Sequence, residues 1–237
     1  MNMPLNTSAD ITDPIAQARY NMIEQQIRPW NVLDRDVLAL LSVVRREDFV
    51  PPAYHGMAFM DIEIPLLGDD AEEAVRLGHS MLQPRVEARM LQDLQIMPTD
   101  RVLEIGAGSG YMAALLAHRA DRVVTLEIVP ELVEMARENL RDAGVQNVEV
   151  RQGDGALDAV PDGPFDVIVL SGSVAEVPTA MLNLLRKGGR LGAIVGGEPV
   201  MRFTVIRRTG DIFETTTPWD TIAPRLANFR EPSGFTF

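Results

Sequence analysis

The stretch Glu104-Ile105-Gly106-Ala107-Gly108-Ser109-Gly110 decides the fold of this chain. It follows a short apolar run at residues 101–105, typical of a buried strand, and precedes a helical pattern at residues 111–119. Closely spaced glycines let the backbone turn sharply, and the start of a helix leaves N–H groups free to meet a ligand. A strand, a glycine-rich turn and a helix in this order predict a βαβ unit that binds a ligand at the carboxyl end of its first strand.

The same alternation continues toward the C-terminus. Further strands are predicted at residues 122–127, 148–152, 166–170 and 190–195, with helices at residues 130–143 and 179–185. Because strands that alternate with helices form parallel sheets covered on both faces, we predict an α/β fold. Its sheet is expected to be doubly wound, mostly parallel, seven-stranded and Rossmann-like. Residues 201–208 and 211–217 flank Thr209-Gly210, which predicts an antiparallel C-terminal hairpin.

The N-terminal part has a different pattern. Residues 1–14 are polar and predict a loose arm, and residues 15–27 predict a helix that Pro29 ends. Asp34 is expected to cap a second helix, and Pro84 suits the first turn of a third. Residues 53–79 between them are predicted to be irregular, with an acidic, exposed stretch at 68–73.

We therefore divide the chain into three segments of one compact domain. Residues 1–97 form the arm, a helical appendage and a substrate-side loop; residues 98–208 form a cofactor-binding α/β core; residues 209–237 form the hairpin strand and tail. Trp30 and Trp219 are expected to anchor packing, and for Trp219 the wall of a substrate cleft is an alternative.

Composition narrows the possible partners. The 237 residues include no cysteine, which excludes disulfides, thiol nucleophiles and thiolate metal sites, and we expect no metal. The formal charge of −12 opposes binding to phosphate backbones, so nucleic acid is not an expected partner. No apolar run has the length of a membrane span and the N-terminus lacks a signal-peptide pattern, so we expect a cytoplasmic protein with no membrane partner.

Two acids after the next strands indicate the ligand. Glu127 ends the strand after the glycine loop, where a carboxylate can bind both ribose hydroxyls, and Asp154 follows the third strand, where it could accept the adenine amino group. Tyr111 stands where a dinucleotide fingerprint needs a small residue, and Glu104 would repel a pyrophosphate but attract a cation. This pattern favours S-adenosyl-L-methionine, although a tight structural turn would also explain the glycines.

Three other regions make a family resemblance specific. They are residues 22–28 with Asp34 and 45–51, residues 78–84, and residues 174–178 with 185–191. In this order they resemble the bacterial protein-L-isoaspartate O-methyltransferases, over roughly residues 15–208. The resemblance implies a class I methyltransferase fold, S-adenosyl-L-methionine as cofactor, and methylation of the α-carboxylate of L-isoaspartyl residues in damaged proteins. A protein or peptide bearing that carboxylate is the implied partner; the sequence gives no oligomeric state.

The resemblance and the motifs together define the candidate site. Ser80 is the catalytic candidate. The candidates for cofactor binding are Glu104, Gly106, Ala107, Gly108, Gly110, Glu127, Ile128, Asp154 and Gly155. The candidates on the substrate side are His79, Leu82, Gln83 and Ser171.

Two departures from the family leave the acceptor open. The family loop reads roughly Gly-x-Thr-Ile-Ser-x-Pro; here Ser80 stands for the threonine and Leu82 for the serine. Losing a hydrogen-bond donor to a charged group costs about 1.5–3 kcal/mol, a rate loss of about 10–150-fold. About eight residues, several of them acidic, are also added around 67–75. A methyltransferase for another carboxylate or peptide, and a non-catalytic module that binds S-adenosyl-L-methionine, therefore remain alternatives.

Overall fold

A computed structural model describes residues 13–68, 70–158, 160 and 162–231. Residues 1–12 of the predicted arm lie outside the described residues. The strands of this described part are β1 (Ile64–Pro65), β2 (Ser80–Met81), β3 (Arg101–Ile105), β4 (Arg122–Glu127), β5 (Val148–Gln152), β6 (Phe165–Val174), β7 (Leu185–Gly197), β8 (Val200–Thr209) and β9 (Ile212–Thr221). The α-helices are α1 (Pro14–Met22), α2 (Arg35–Val43), α3 (Ala71–Arg76), α4 (Pro84–Leu94), α5 (Tyr111–Ala117), α6 (Pro130–Asp142) and α7 (Thr179–Asn183).

Seven strands form the main sheet in the order β5-β4-β3-β6-β7-β8-β9. Neighbouring strands from β5 to β7 pair in parallel, whereas β8 pairs antiparallel with both β7 and β9. The strand order reverses its direction between β3 and β6, because the chain moves outward to β5 and then returns to the other side of β3. The predicted doubly wound, mostly parallel sheet with a C-terminal hairpin is confirmed, and its ligand crevice is expected at this reversal.

Alternating side chains cover both faces of the sheet. Val102, Val123 and Val167 belong to one hydrophobic cluster, and their chain neighbours Leu103 and Val124 belong to another. A strand sends successive side chains to opposite faces, so a run of apolar residues is stable only where both faces are covered. The first cluster also includes side chains of the N-terminal helices and of α4 and α5, which therefore pack on one face of the sheet.

The helix starts follow from local sequence. The Asp34 carboxylate accepts the backbone N–H groups of Asp36 and Val37, as predicted for the cap of α2, and Pro84 begins α4. The first predicted helix is less regular than its pattern indicates: α1 continues as one π-helical segment, Ile23–Ile27, and then a 3₁₀ turn, Arg28–Trp30. None of the described helices is both long enough and apolar enough to cross a membrane.

The prediction that residues 53–79 are irregular is wrong in three places, the first of which is a 3₁₀ helix at Pro52–Met57. Residues 71–76 form α3, because Asp70 accepts the N–H groups of Glu72 and Glu73 and the acids of the first turn favour the helix N-terminus. β1 also pairs antiparallel with β2, with Pro65 opposite Ser80. The added segment thus leads into the loop that contains Ser80. Strands β6 and β7 are longer than the predicted 166–170 and 190–195.

Candidate functional site

A cavity of about 120 Å³ lies at the carboxyl ends of β3, β4 and β5, where the topology predicts a ligand. The C-terminal tail closes one side of it. The lining groups fall into the glycine loop, the acids after the strands, the loop before α4 and the tail; they include Gly78, His79, Ser80, Gly106, Gly108, Glu127, Ile128, Asp154, Gly155, Ser171, Arg225, Leu226 and Phe229. The cavity thus brings together most residues predicted from the sequence.

The glycines of the loop have different structural roles. Gly106 and Gly108 adopt φ values of +92° and +51°, which side chains rarely tolerate, and both line the cavity. Gly110, with a φ of +85°, does not line it; a Cβ there would lie 3.2 Å from the backbone oxygen of Ala136 in α6. Gly110 therefore permits close packing of α5 against α6. Ala107 lines a smaller neighbouring cavity instead.

Glu127 is fixed at the end of β4 by two backbone groups. Its Oε2 accepts the N–H of Gly108 at 2.9 Å, and its Oε1 accepts the N–H of Val129 at 3.0 Å. The carboxylate lines the cavity, and each oxygen keeps a lone pair for a further donor. The glycine loop and the acid predicted to hold a ribose are therefore directly joined.

Glu104 is placed differently from the sequence expectation. It is fully buried beneath the glycine loop and does not itself line the cavity. Its carboxyl group accepts hydrogen bonds from the hydroxyls of Thr125, at 2.8 Å, and Ser171, at 2.7 Å. Ser171 does line the cavity, so it connects Glu104 to any bound ligand. Burial raises the pKa of Glu104 to about 8, although both hydroxyls act to lower it.

This raised pKa predicts that alkaline pH destabilises the fold. An unfolded glutamic acid releases its proton near pH 4.5, whereas folded Glu104 keeps its proton up to about pH 8. Stability from this group is therefore complete below pH 4.5 and is lost as pH rises through 8. We expect the urea midpoint to fall between pH 5.5 and 8.5, and to fall less in Glu104→Gln. Equal pH slopes for the two proteins would contradict the assignment.

Asp154 lines the cavity but already has partners. Its Oδ1 accepts the N–H of Ala156 at 2.9 Å, and its Oδ2 accepts the side-chain amide of Asn228 at 2.6 Å. Asn228 belongs to the tail, where the sequence resemblance is weak, and sequence reasoning missed it. Each Asp154 oxygen thus accepts one hydrogen bond and keeps a lone pair for a further donor, such as an adenine amino group.

The loop before α4 places one polar atom without a partner at the cavity. Ser80 Oγ is buried and has no hydrogen-bond partner among the described residues. Ser80 lines both the main cavity and the smaller one, of about 20 Å³, behind the loop. His79 also lines the main cavity, while the predicted substrate-side Leu82 is buried and lines only the smaller one. Gln83 lies outside both cavities.

A buried ion pair supports this loop from behind. Arg46 is fully buried; its Nη1 lies 2.6 Å from Oε2 of Glu87, and its Nη2 donates to the carbonyl oxygen of Leu82 at 2.9 Å. The Arg46 guanidinium also lies 5.3 Å from the ring centre of Tyr111. Burial raises the pKa of Glu87 to about 7, against the effect of Arg46. Sequence reasoning missed this pair, because its members lie 41 residues apart.

The residues at the main cavity fit S-adenosyl-L-methionine. Glu127 and Asp154 offer acceptors for hydroxyl and amino donors, and Ile128 and Phe229 offer apolar surface for an adenine. Leu226 and Phe229 of the tail line this cavity of about 120 Å³ together with the glycine loop. Within the described residues, no group of three or more His, Asp or Glu could hold a metal ion.

Comparison with known proteins places the chain in a family. The family model for protein-L-isoaspartate(D-aspartate) O-methyltransferase matches residues 17–221. A protein-L-isoaspartate O-methyltransferase of Methanoculleus marisnigri is 42% identical over 184 residues, which cover 78% of this chain and 80% of that protein. One from Koribacter versatilis is 36% identical over 209 residues, 88% of this chain and 90% of that protein.

A solved structure shares the fold at low sequence identity. It is a Plasmodium falciparum protein described as a protein-L-isoaspartate O-methyltransferase in complex with S-adenosyl-L-homocysteine, with a TM-score of 0.72 and 18% identity, covering 90% of this chain and 98% of that one. At this identity the likeness concerns the fold alone. The family model and the two relatives cover most of the chain, and the chain therefore belongs to the protein-L-isoaspartate(D-aspartate) O-methyltransferase family.

Proposed function

We propose that this chain is an S-adenosyl-L-methionine-dependent methyltransferase that methylates the α-carboxylate of L-isoaspartyl residues in proteins. The observation that carries the proposal is the unpartnered hydroxyl of Ser80, buried at the junction of the two cavities. A buried donor without a partner costs about 1–3 kcal/mol, and an arriving carboxylate would remove that cost. The names of the relatives and the matched family agree with this acceptor.

The chain's own residues would mainly bind and orient. Glu127 would hold the ribose hydroxyls, and Asp154 would accept the adenine amino group beside Asn228. Ser171, backed by Glu104, would face the amino-acid part of the cofactor. When bound, S-adenosyl-L-methionine supplies an electrophilic methyl group, which a carboxylate already ionised at neutral pH accepts without a general base. Positioning and exclusion of water are then the main requirements.

Leu82 alters how the acceptor carboxylate would be bound. Its side chain is apolar and buried against the smaller cavity, so it donates no hydrogen bond there. Ser80 then remains the hydroxyl of the loop for this task, and Arg46, by binding the Leu82 carbonyl, keeps the loop in place. We expect a rate below that of a family member with both hydroxyls, by the estimated 10–150-fold.

The proposal extends to the remaining partners. A formal charge of −12 supports a function without nucleic acid, because phosphate binding relies on Lys and Arg.

Ser80→Ala tests the central residue. We expect kcat/KM for an isoaspartyl peptide to fall about 10–150-fold, because one donor to the carboxylate is lost. Ser42→Ala is the matched control: its hydroxyl donates to the carbonyl oxygen of Leu38 in α2, which lies outside both cavities. Labelled methyl transfer measures the rate, and equilibrium dialysis with S-adenosyl-L-methionine shows whether the cofactor still binds.

The result separates the proposed function from its alternatives. Equal rates for Ser80→Ala and Ser42→Ala would show that the Ser80 hydroxyl does not contribute to the reaction. Because Leu82 departs from the family loop, a different carboxylate is the second candidate acceptor. Methylation of a cell extract without methylation of the isoaspartyl peptide would favour that acceptor. Cofactor binding without transfer to the peptide or the extract would favour a binding module.

A further inference from the structure

A second cavity, of about 370 Å³, lies outside the cofactor site. Its walls come from the start of α4, the 3₁₀ turn after α1, the β7–β8 turn and the end of β9. We name it the tryptophan groove, after the residues that frame it: Trp30, Gln83, Arg85, Arg89 and Trp219. The groove is larger than the cofactor cavity, and the reaction described above does not use it.

Two arginines lie against the aromatic walls of the tryptophan groove. The Arg85 guanidinium is 3.9 Å from the ring centre of Trp30, and that of Arg89 is 5.0 Å from the ring centre of Trp219. Stacking on aromatic faces orders long side chains that would otherwise be mobile. The N–H groups at the edge of each guanidinium therefore have a defined direction before a ligand arrives.

The charge of the groove is not fully neutralised from within. Arg85 pairs with Asp61 at 3.0 Å, and the acid in the groove wall, Asp220, pairs with Arg202 at 3.3 Å. Arg89 forms no ion pair with any described residue, and Asp93, four residues further along α4, accepts the indole N–H of Trp219 at 2.7 Å. The Arg89 guanidinium therefore remains available to a carboxylate ligand.

Gln83 connects the tryptophan groove to the methyl-transfer loop. It lies three residues after Ser80, a distance of at most about 11 Å along extended chain. Its Oε1 atom is buried and accepts no hydrogen bond from a described residue. An amide oxygen in this state requires an N–H donor, and a polypeptide backbone provides one.

We propose that the tryptophan groove binds acidic residues that flank the methyl-accepting residue of the substrate polypeptide. The inference rests on the proposed function, because it concerns the acceptor of the same reaction. Gln83 would accept a backbone N–H of the substrate, and Arg89 together with Arg85 would bind a neighbouring carboxylate. A nucleic acid is a poorer match, since two arginines neutralise few phosphates on so acidic a chain.

The two tryptophans make occupancy of this groove directly measurable. They are the only tryptophans in the chain, and both line the tryptophan groove, so intrinsic tryptophan fluorescence reports on this site. The probes are a non-aromatic peptide with a central isoaspartyl residue flanked by glutamates, and its twin with glutamines. We expect a saturable fluorescence change with the glutamate peptide, at an affinity about fivefold above that of the twin and weakened by salt.

Arg89→Gln tests the charge, with Arg141→Gln on exposed α6 as the matched control. We expect Arg89→Gln to abolish the preference for the glutamate peptide in both fluorescence and kcat/KM. Arg85→Gln should reduce the same preference. Equal affinity of the two peptides for the unaltered chain would overturn the proposal, as would an unchanged preference in Arg89→Gln.

The two readouts separate this proposal from the proposed function. If the fluorescence distinguishes the peptides but neither is methylated, the proposed function fails and the anion site stands. If both peptides are methylated equally and bind equally, the proposed function stands and the tryptophan groove is not part of the acceptor site. Fluorescence discrimination without any difference in methylation of the two peptides would overturn the assignment to the acceptor.

Discussion

Glu127→Ala is expected to lower the affinity for S-adenosyl-L-methionine by at least about 100-fold. The carboxylate would bind two ribose hydroxyls, and each hydrogen bond to a charged group contributes about 1.5–3 kcal/mol. Its oxygens also accept the N–H groups of Gly108 and Val129, so its removal loosens the glycine loop. Isothermal titration calorimetry measures the change. Glu127→Gln keeps one acceptor oxygen and should give an intermediate loss.

Glu138→Ala is the matched control, because this glutamate lies exposed on α6, away from the cavity. Its affinity should equal that of the unaltered chain. Far-ultraviolet circular dichroism checks that each variant keeps its secondary structure. An affinity within threefold of normal in a folded Glu127→Ala protein would mean that the ribose is bound elsewhere.

Arg46→Met is expected to destabilise the fold by about 3–5 kcal/mol. Removing one member of a buried ion pair leaves the other charge buried without a partner, here Glu87. The carbonyl oxygen of Leu82 also loses its donor, so the loop that contains Ser80 becomes less ordered. We therefore also expect a lower kcat. It is measured under conditions where the variant is fully folded, so that unfolding does not contribute to the decrease. Urea unfolding gives the free energy of unfolding.

The double variant Arg46→Met/Glu87→Leu distinguishes a buried charge from lost packing. Replacing both partners with apolar residues removes the unpaired charge, so most of the lost stability should return. The loop would still lack its donor, and kcat should stay low. Arg141→Met on exposed α6 is the control and should unfold normally. A double variant as unstable as Arg46→Met alone would show that packing, and not charge, explains the loss.

The sheet was predictable because its strands carry a strong local signal. The predicted limits of β3, β4 and β5 agree with the structure: apolar runs mark β3 and β4, and alternating apolar and polar residues mark β5. The C-terminal extensions of β6 and β7 contain Ser171, Gly172, Gly196 and Gly197, residues without strand preference, so their pairing depends on neighbouring strands. The division of the chain into segments 1–97, 98–208 and 209–237 stays a prediction.

The helix in the added segment was missed although its signal was present. Asp70 followed by Glu72 and Glu73 is a helix start, and Gly78 adopts a φ of +78° after the helix end. The many acidic residues at 68–73 instead indicated an exposed loop. The pair Arg46–Glu87 had no such local signal, because only the fold brings its members together.

The cofactor side of the site was more predictable than the acceptor side. The glycine loop, Glu127 and Asp154 lie on consecutive parallel strands, whose ends must meet. Sequence spacing could not show that Glu104 lies buried and accepts a hydrogen bond from Ser171, nor that Asn228 binds Asp154. Contacts of this kind depend on side-chain direction and on a tail that the family pattern does not define.

The most direct test of this account is methyl transfer from labelled S-adenosyl-L-methionine to an isoaspartyl peptide, with the aspartyl peptide of the same sequence as control. We predict transfer to the isoaspartyl peptide only, at a rate within roughly two decades of a family member with both loop hydroxyls. Transfer that does not exceed the aspartyl control would contradict the account.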